Sequence, residues 1–212
     1  MTVEPEPNVV DEFDVKDTDI LESGQPANQQ PEEASIDDGT SSGDDAMAGG
    51  GTTVVLPTQL GLRALFRAKQ SVGVREVPLN SNWGPSVKIY LASVGITFPA
   101  PWCMAFVHYK LHQAAQELGI ALQWPRTGSC TVVGNWADDN ARFLDAPEPG
   151  CVFLIWSEAK QRYIHTGFVA EVLGPDRIAT VEGNSNDNGS SEGIGVFAIH
   201  RHTTNLDFVA VR

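Results

Sequence analysis

From Val54 onward the chain changes hydrophobic period once, and that change restricts the fold more than any other feature. After Pro57, Thr58 can cap a helix carrying Leu62, Leu65, Phe66 and Ala68 at helical spacing and ending near Gly73. A loop over 75–85 leads to a short helix through Val87, Ile89, Tyr90, Leu91 and Val94, stopped by Gly95. From Trp102 to Leu118, behind Pro99 and Pro101 and before Gly119, the residues Cys103, Phe106, Val107, Leu111, Ala114, Ala115 and Leu118 make one apolar stripe. A further short helix is expected over 131–141. Beyond it the segments 151–156, 163–173, 177–182, 194–201 and 207–211 are short, rich in Val, Ile, Phe and Thr, and parted by turns such as Gly174-Pro175-Asp176. Helices first and an antiparallel sheet second predict an α+β domain without parallel crossover units.

Charge divides the 212 residues in another way. Fourteen of the 27 acids, but only one basic residue, Lys16, precede Val54; the rest of the chain carries 13 of each sign. Residues 1–53, with Pro5, Pro7, Pro26, Pro31 and the run Gly49-Gly50-Gly51, hold too few large apolar side chains to offset their ordering entropy, so a disordered acidic tail with a Gly-rich hinge is expected before a catalytic domain at 54–212. A balanced domain has no surplus of Lys/Arg for phosphates, which argues against a nucleic-acid partner. No apolar run is long enough to span a membrane, and the acidic N-terminus has neither the basic start nor the apolar stretch of a signal peptide. Three cysteines, an odd number, leave at least one thiol unpaired.

A thiol attacks only as the thiolate, and a helix N-terminus favours that anion through its unpaired N–H groups and dipole. Cys103, just inside the helix that Pro101 opens, has this setting, and its own N–H would face outward to hold an oxyanion. The plainer alternative is a small buried hydrophobe. His165 is the best-placed base. Strand alternation sets His165, Gly167 and Val169 on one face, and Gly167 would spare the space a helix needs to cross near the imidazole. A structural histidine is the alternative. On the next strand, Glu182 and Asn184 are two apart, so either can point to the His165 face and fix the ring's tautomer; otherwise Glu-Gly-Asn is a polar strand exit.

These residues carry a resemblance. The blocks Pro101-Trp102-Cys103-Met104-Ala105-Phe106-Val107, His165-Thr166-Gly167-Phe168-Val169 and Val181-Glu182-Gly183-Asn184-Ser185-Asn186 resemble the three signature blocks of CHAP-domain amidases and peptidases, relatives of the NlpC/P60 group. Gly73-Val74-Arg75-Glu76-Val77 with Gly84-Pro85, and Thr127-Gly128-Ser129-Cys130 with Trp136-Ala137, are similar to earlier stretches of such proteins, so the likeness runs over roughly 58–212. It implies a papain-like fold, N-terminal helices on a C-terminal antiparallel sheet, and cleavage of peptidoglycan amide bonds. It makes Cys103 the nucleophile, His165 the base and acid, and Glu182 and Asn184 the residues that orient His165. Asn82 is a candidate second oxyanion donor, and Trp83, Trp102 and Trp156 are candidates to line a cleft, with packing as their alternative role.

No cofactor is expected, and no Asp-rich loop stands beside Cys103 to hold calcium. Asn184-Ser185-Asn186-Asp187-Asn188-Gly189 begins like a calcium loop, but Gly195 stands where a closing Glu belongs. His108 and His112 lie on the helix face turned from Cys103, and His200 and His202 lack a third ligand. Cys151 reads as core; Cys130, opening a short helix, is a rival nucleophile without a base nearby. A monomer that reaches the wall by release or injection, with the acidic tail as a docking segment for a partner or a spacer, completes the expectation. A non-catalytic wall-binding module and an amidase for a small peptide or polyamine conjugate are the alternatives.

Overall fold

The computed structural model describes residues 58–186 and 193–212; the expected tail at 1–53 and half of the calcium-like run, residues 187–189, lie outside them. Four helices come first: α1 (Gln59–Lys69), α2 (Pro85–Ser93), α3 (Cys103–Leu118) and α4 (Cys130–Asp139). Six strands follow: β1 (Phe143–Leu144), β2 (Val152–Ser157), β3 (Arg162–Gly174), β4 (Arg177–Ser185), β5 (Gly195–His202) and β6 (Leu206–Val209). All pair antiparallel in the order β1-β6-β2-β3-β4-β5, giving the α+β, papain-like architecture.

The helix ends follow local chemistry. Thr58 caps α1 by accepting from the Gly61 N–H at 3.0 Å, and the helix ends at Lys69, earlier than Gly73, in a turn over 70–73. Ser129 caps α4 by accepting from the Val132 N–H, and Gly119 ends α3 in the left-handed region at φ 67. The two-residue β1 leaves no periodic signal in the sequence; its partner β6 defines it.

Alternation along the strands divides the apolar side chains between two faces. Val152, Leu154, Phe168, Val181 and Val196 join the helices in the main core, where Trp102, Phe106 and Leu111 are fully buried. Cys151, Phe153, Val169, Ile178 and Phe208 form a smaller cluster. Two glycines decide how closely the layers meet. A Cβ on Gly183 would stand 2.6 Å from the Phe106 Cβ and 2.8 Å from the Trp102 ring, so Gly183 is what admits α3 against β4. Gly167, expected to make room for that helix, instead makes room for the site: its Cβ would stand 2.8 Å from Glu182 Cγ and 2.9 Å from the Phe153 ring.

Candidate active site

Cys103 is the first residue of α3, and the N-cap Trp102 offers no side-chain hydrogen bond. The N–H groups of the first turn are thus left without a capping side chain beneath the sulfur. Trp102 is itself fixed from behind. Its indole Nε1 donates to Glu76 Oε1 at 2.8 Å, while Glu76 Oε2 accepts from the N–H groups of Ser81 at 2.8 Å and Asn82 at 3.0 Å. Glu76, only 2 % exposed, therefore ties the residue before Cys103 to the loop ahead of α2.

The β3–β4 ladder runs from the hairpin only as far as Phe168 opposite Val181, so His165 and Glu182 stand beyond its last residue pair. There the imidazole Nε2 donates to Glu182 Oε2 at 2.8 Å, with both side chains at zero exposure. Its Nδ1 has no hydrogen-bond partner, which leaves it as the atom that can exchange a proton with the neighbouring Cys103 thiol. Glu182 is saturated. Oε1 accepts from Thr180 Oγ1 at 2.6 Å and Arg201 Nε at 2.5 Å; Oε2 accepts from His165, from Arg201 Nη2 at 2.6 Å and from Ser185 Oγ at 3.2 Å.

The electrostatics follow from these contacts. Burial raises the Glu182 pKa, but the Arg201 fork and then His165 outweigh it and hold the carboxyl at about 2. Burial disfavours a charged His165, yet the neighbouring Cys103 thiol and the hydrogen-bonded carboxylate of Glu182 lift the ring to about 9. Cys103 is held well below the ordinary thiol range, first by a hydrogen bond from Cys130, then, against burial, by His165 and the Met104 N–H. Cys130, whose Sγ lies 3.9 Å from the Cys103 Sγ, is pushed well above it, because its proton faces the anion and its surroundings are buried. The arrangement favours a thiolate beside an imidazolium, backed by a carboxylate and a guanidinium.

Of the residues singled out from sequence, Cys103, His165 and Glu182 come together. Asn184 does not join their hydrogen bonds. The β4–β5 register shifts between Glu182 and Ser185, and Asn184 sits at φ 55, so simple two-residue alternation fails there; its buried amide has no partner at either the nitrogen or the oxygen. Asn82 spends its main-chain N–H on Glu76, which leaves only its side-chain amide for any role at the thiol. Trp102 is corrected as a cleft residue: with no exposed surface, it presents nothing to a substrate and serves to pack and anchor the start of α3. Trp156 packs edge-on against Tyr163, and Trp83 lies under Lys88 Nζ at 5.0 Å.

Three contributors were not found from sequence. No spacing in the sequence draws Arg201 or Glu76 to the site, and only their placement beside Glu182 and Trp102 reveals them. Cys130, a rival nucleophile by sequence, is the neighbour of Cys103. A hint was available, since Cys103 and Cys130 both open helices. His108, by contrast, is buried, with Ser93 Oγ 3.1 Å from its Nδ1 and its ring stacked on His112. Among the described residues no group of three or more His, Cys, Asp or Glu side chains is placed to hold a metal ion. No helix among them is long and apolar enough to cross a membrane.

No curated protein matches the chain. Among solved structures it is similar to the crystal structure of Ly7917, at 15 % identity and a TM-score of 0.41, over 73 % of this chain and 63 % of that one; the chain thus spans less than two thirds of that protein's length. Residues 95–184 match the family model of the CHAP domain, a stretch that contains Cys103, Cys130, His165 and Glu182 and leaves Glu76 and Arg201 outside it. That match falls within the α+β fold described above and agrees with the motif resemblance carried by the sequence.

Proposed function

We propose that the domain is a cysteine hydrolase that cuts amide bonds in peptidoglycan through a thioester, either at the sugar-to-peptide link or within the stem or cross-bridge peptides. The observation that carries this reading is His165, set between the carboxylate of Glu182 and the thiol of Cys103 at the uncapped start of α3. A buried histidine that served packing alone would not need to share a proton with a thiol of depressed pKa.

In the reaction the Cys103 thiolate attacks the amide carbon, forming the S–C bond and moving the carbonyl π electrons onto oxygen. The N–H groups at the start of α3 stabilise that oxyanion. As it collapses, the C–N bond breaks and His165 gives its proton to the departing amine. The neutral ring then takes a proton from water, the hydroxide attacks the thioester, and the thiolate leaves. Glu182 and Arg201 hold the ring in one tautomer throughout. Cys103 keeps 5 % of its surface, while His165 and Glu182 keep none, so the acyl group arrives over the sulfur.

Purified peptidoglycan treated with the protein should release new amines, and muropeptide mass spectrometry should assign them to one bond type. Cys103→Ala and His165→Ala should each abolish release while the fold persists. Undiminished release from Cys103→Ala would sink the proposal. Pelleting with the wall but no turnover by the unaltered protein would favour a binding module instead.

A further inference from the structure

The Cys103 Sγ and the Cys130 Sγ lie 3.9 Å apart, each on the first residue of its helix, α3 or α4. A disulfide needs about 2.0 Å between sulfurs, so the pair must close by about 2 Å, a movement within the compass of side-chain rotation at two helix-opening residues. Both residues keep 5 % of their surface and their sulfurs stand side by side, so a small oxidant that reaches one is beside the other. The third cysteine, Cys151, is 1 % exposed in the smaller cluster, with burial pushing its pKa up to about 12, which leaves it unsuited to compete.

We propose that Cys103 and Cys130 form a reversible disulfide when the protein meets hydrogen peroxide or an organic hydroperoxide, with Cys130 as the resolving cysteine that shelters the nucleophile from further oxidation. The Cys103 thiolate attacks a peroxide oxygen. An S–O bond forms, the O–O bond breaks, and the departing hydroxide or alkoxide takes the proton held by His165, as the leaving amine does in hydrolysis. Cys130 then attacks the sulfenic sulfur. The S–S bond forms, the S–O bond breaks, and the hydroxide released leaves as water with the Cys130 proton. Two electrons pass from two thiols to one peroxide, and a dithiol reverses the change. The inference rests on the nucleophilic thiol of the proposed function, but its chemistry can be read without peptidoglycan.

The test treats the full chain with hydrogen peroxide in slight molar excess, blocks the remaining thiols with iodoacetamide, and maps peptides without reduction. The expected result is a peptide linking Cys103 to Cys130, an intact mass lower by two hydrogens, unlinked Cys151, and recovery of Cys103 alkylation after dithiothreitol. In Cys130→Ser, Cys103 should instead be trapped by dimedone or, where dimedone is left out, pass to a sulfinic acid that dithiothreitol does not recover. Dimedone capture or sulfinic acid in the unaltered protein without a linked peptide would overturn the inference, as would a linkage formed between two molecules. If Cys130→Ser does not fold, the map of the unaltered protein decides alone. A linked peptide in a protein that never cuts peptidoglycan leaves this inference standing and removes the proposed function; cutting without a linked peptide does the reverse.

Discussion

Arg201 on β5 forks both oxygens of Glu182 on β4, Nε on Oε1 at 2.5 Å and Nη2 on Oε2 at 2.6 Å. The register sets Arg201 opposite Ile178 and Glu182 opposite Phe197, so the two side chains reach along one face of the sheet to meet. The guanidinium also lies over the Phe153 ring, 5.6 Å from its centroid. A buried carboxylate backing an imidazolium is costly to hold ionised unless a second cation and fixed donors share it.

Arg201→Met should therefore cost about 3–5 kcal/mol of stability, the usual consequence of leaving one buried charge uncompensated. Urea unfolding measures it. Arg201→Lys, which keeps the charge and loses the fork, should cost less. Removing the cation also makes the surroundings of Cys103 more negative, so in whatever fraction of Arg201→Met folds, thiolate formation should move to higher pH. The pH dependence of iodoacetamide labelling at Cys103 reads that shift, and an unchanged profile would show that Arg201 does not act on the site.

Hydrolysis needs the thiolate and the imidazolium together. Amine release should therefore rise with pH as Cys103 ionises, hold through neutrality, and fall as His165 loses its proton near pH 9. Stability has its own signs. The folded value of His165, about 9, lies above its ordinary 6.5, so its contribution is complete below about 6.5 and is lost as pH rises through about 9. Glu182, at about 2 against an ordinary 4.5, contributes fully above about 4.5 and loses that contribution as pH falls through about 2. Unfolding free energies measured across the pH range should fall at both limits. In Glu182→Gln the acid-side loss should shrink.

Glu76→Ala should leave the Trp102 indole and the N–H groups of Ser81 and Asn82 without their common acceptor. Each buried donor so orphaned costs about 1–3 kcal/mol. Because Trp102 precedes the nucleophile, amine release should fall further than the loss of folded protein accounts for. Comparing activity per folded molecule with chemical denaturation separates the two.

Gly183→Ala and Gly167→Ala should both destabilise by about 1–3 kcal/mol, as overpacking does. Their effects on the site should differ. The first pushes on Phe106 and Trp102 at the start of α3, the second on Glu182 and Phe153. Only Gly167→Ala should move the alkaline limb of the pH profile, which His165 sets through Glu182; equal shifts in the two variants would refute this division.

Periodicity, caps and turns were enough for the order of the four helices and of β2 to β6, though not for β1, because these are local effects of side-chain spacing and backbone conformation. The setting of Cys103 was legible for the same reason, as was a partner for His165 on the next strand, which the count of residues left open between Glu182 and Asn184. Where local counting met a β-bulge it failed: Asn184, two residues from Glu182, left the alternation that was to aim it at His165. Gly167 was correctly marked as a place of close approach, but what approaches is a side chain of the sheet, not the helix.

Local residue patterns specify an α+β chain with a thiol at a helix start, a histidine on a strand and an acid on the strand after it. It takes the packed fold to bring Arg201 onto Glu182, Glu76 behind Trp102, and Cys130 beside Cys103. These contacts join residues 19, 26 and 27 positions apart. Helical and strand spacing fix which way a side chain points on its own element, whereas the distance between elements is set by how whole faces pack, and no local pattern records it.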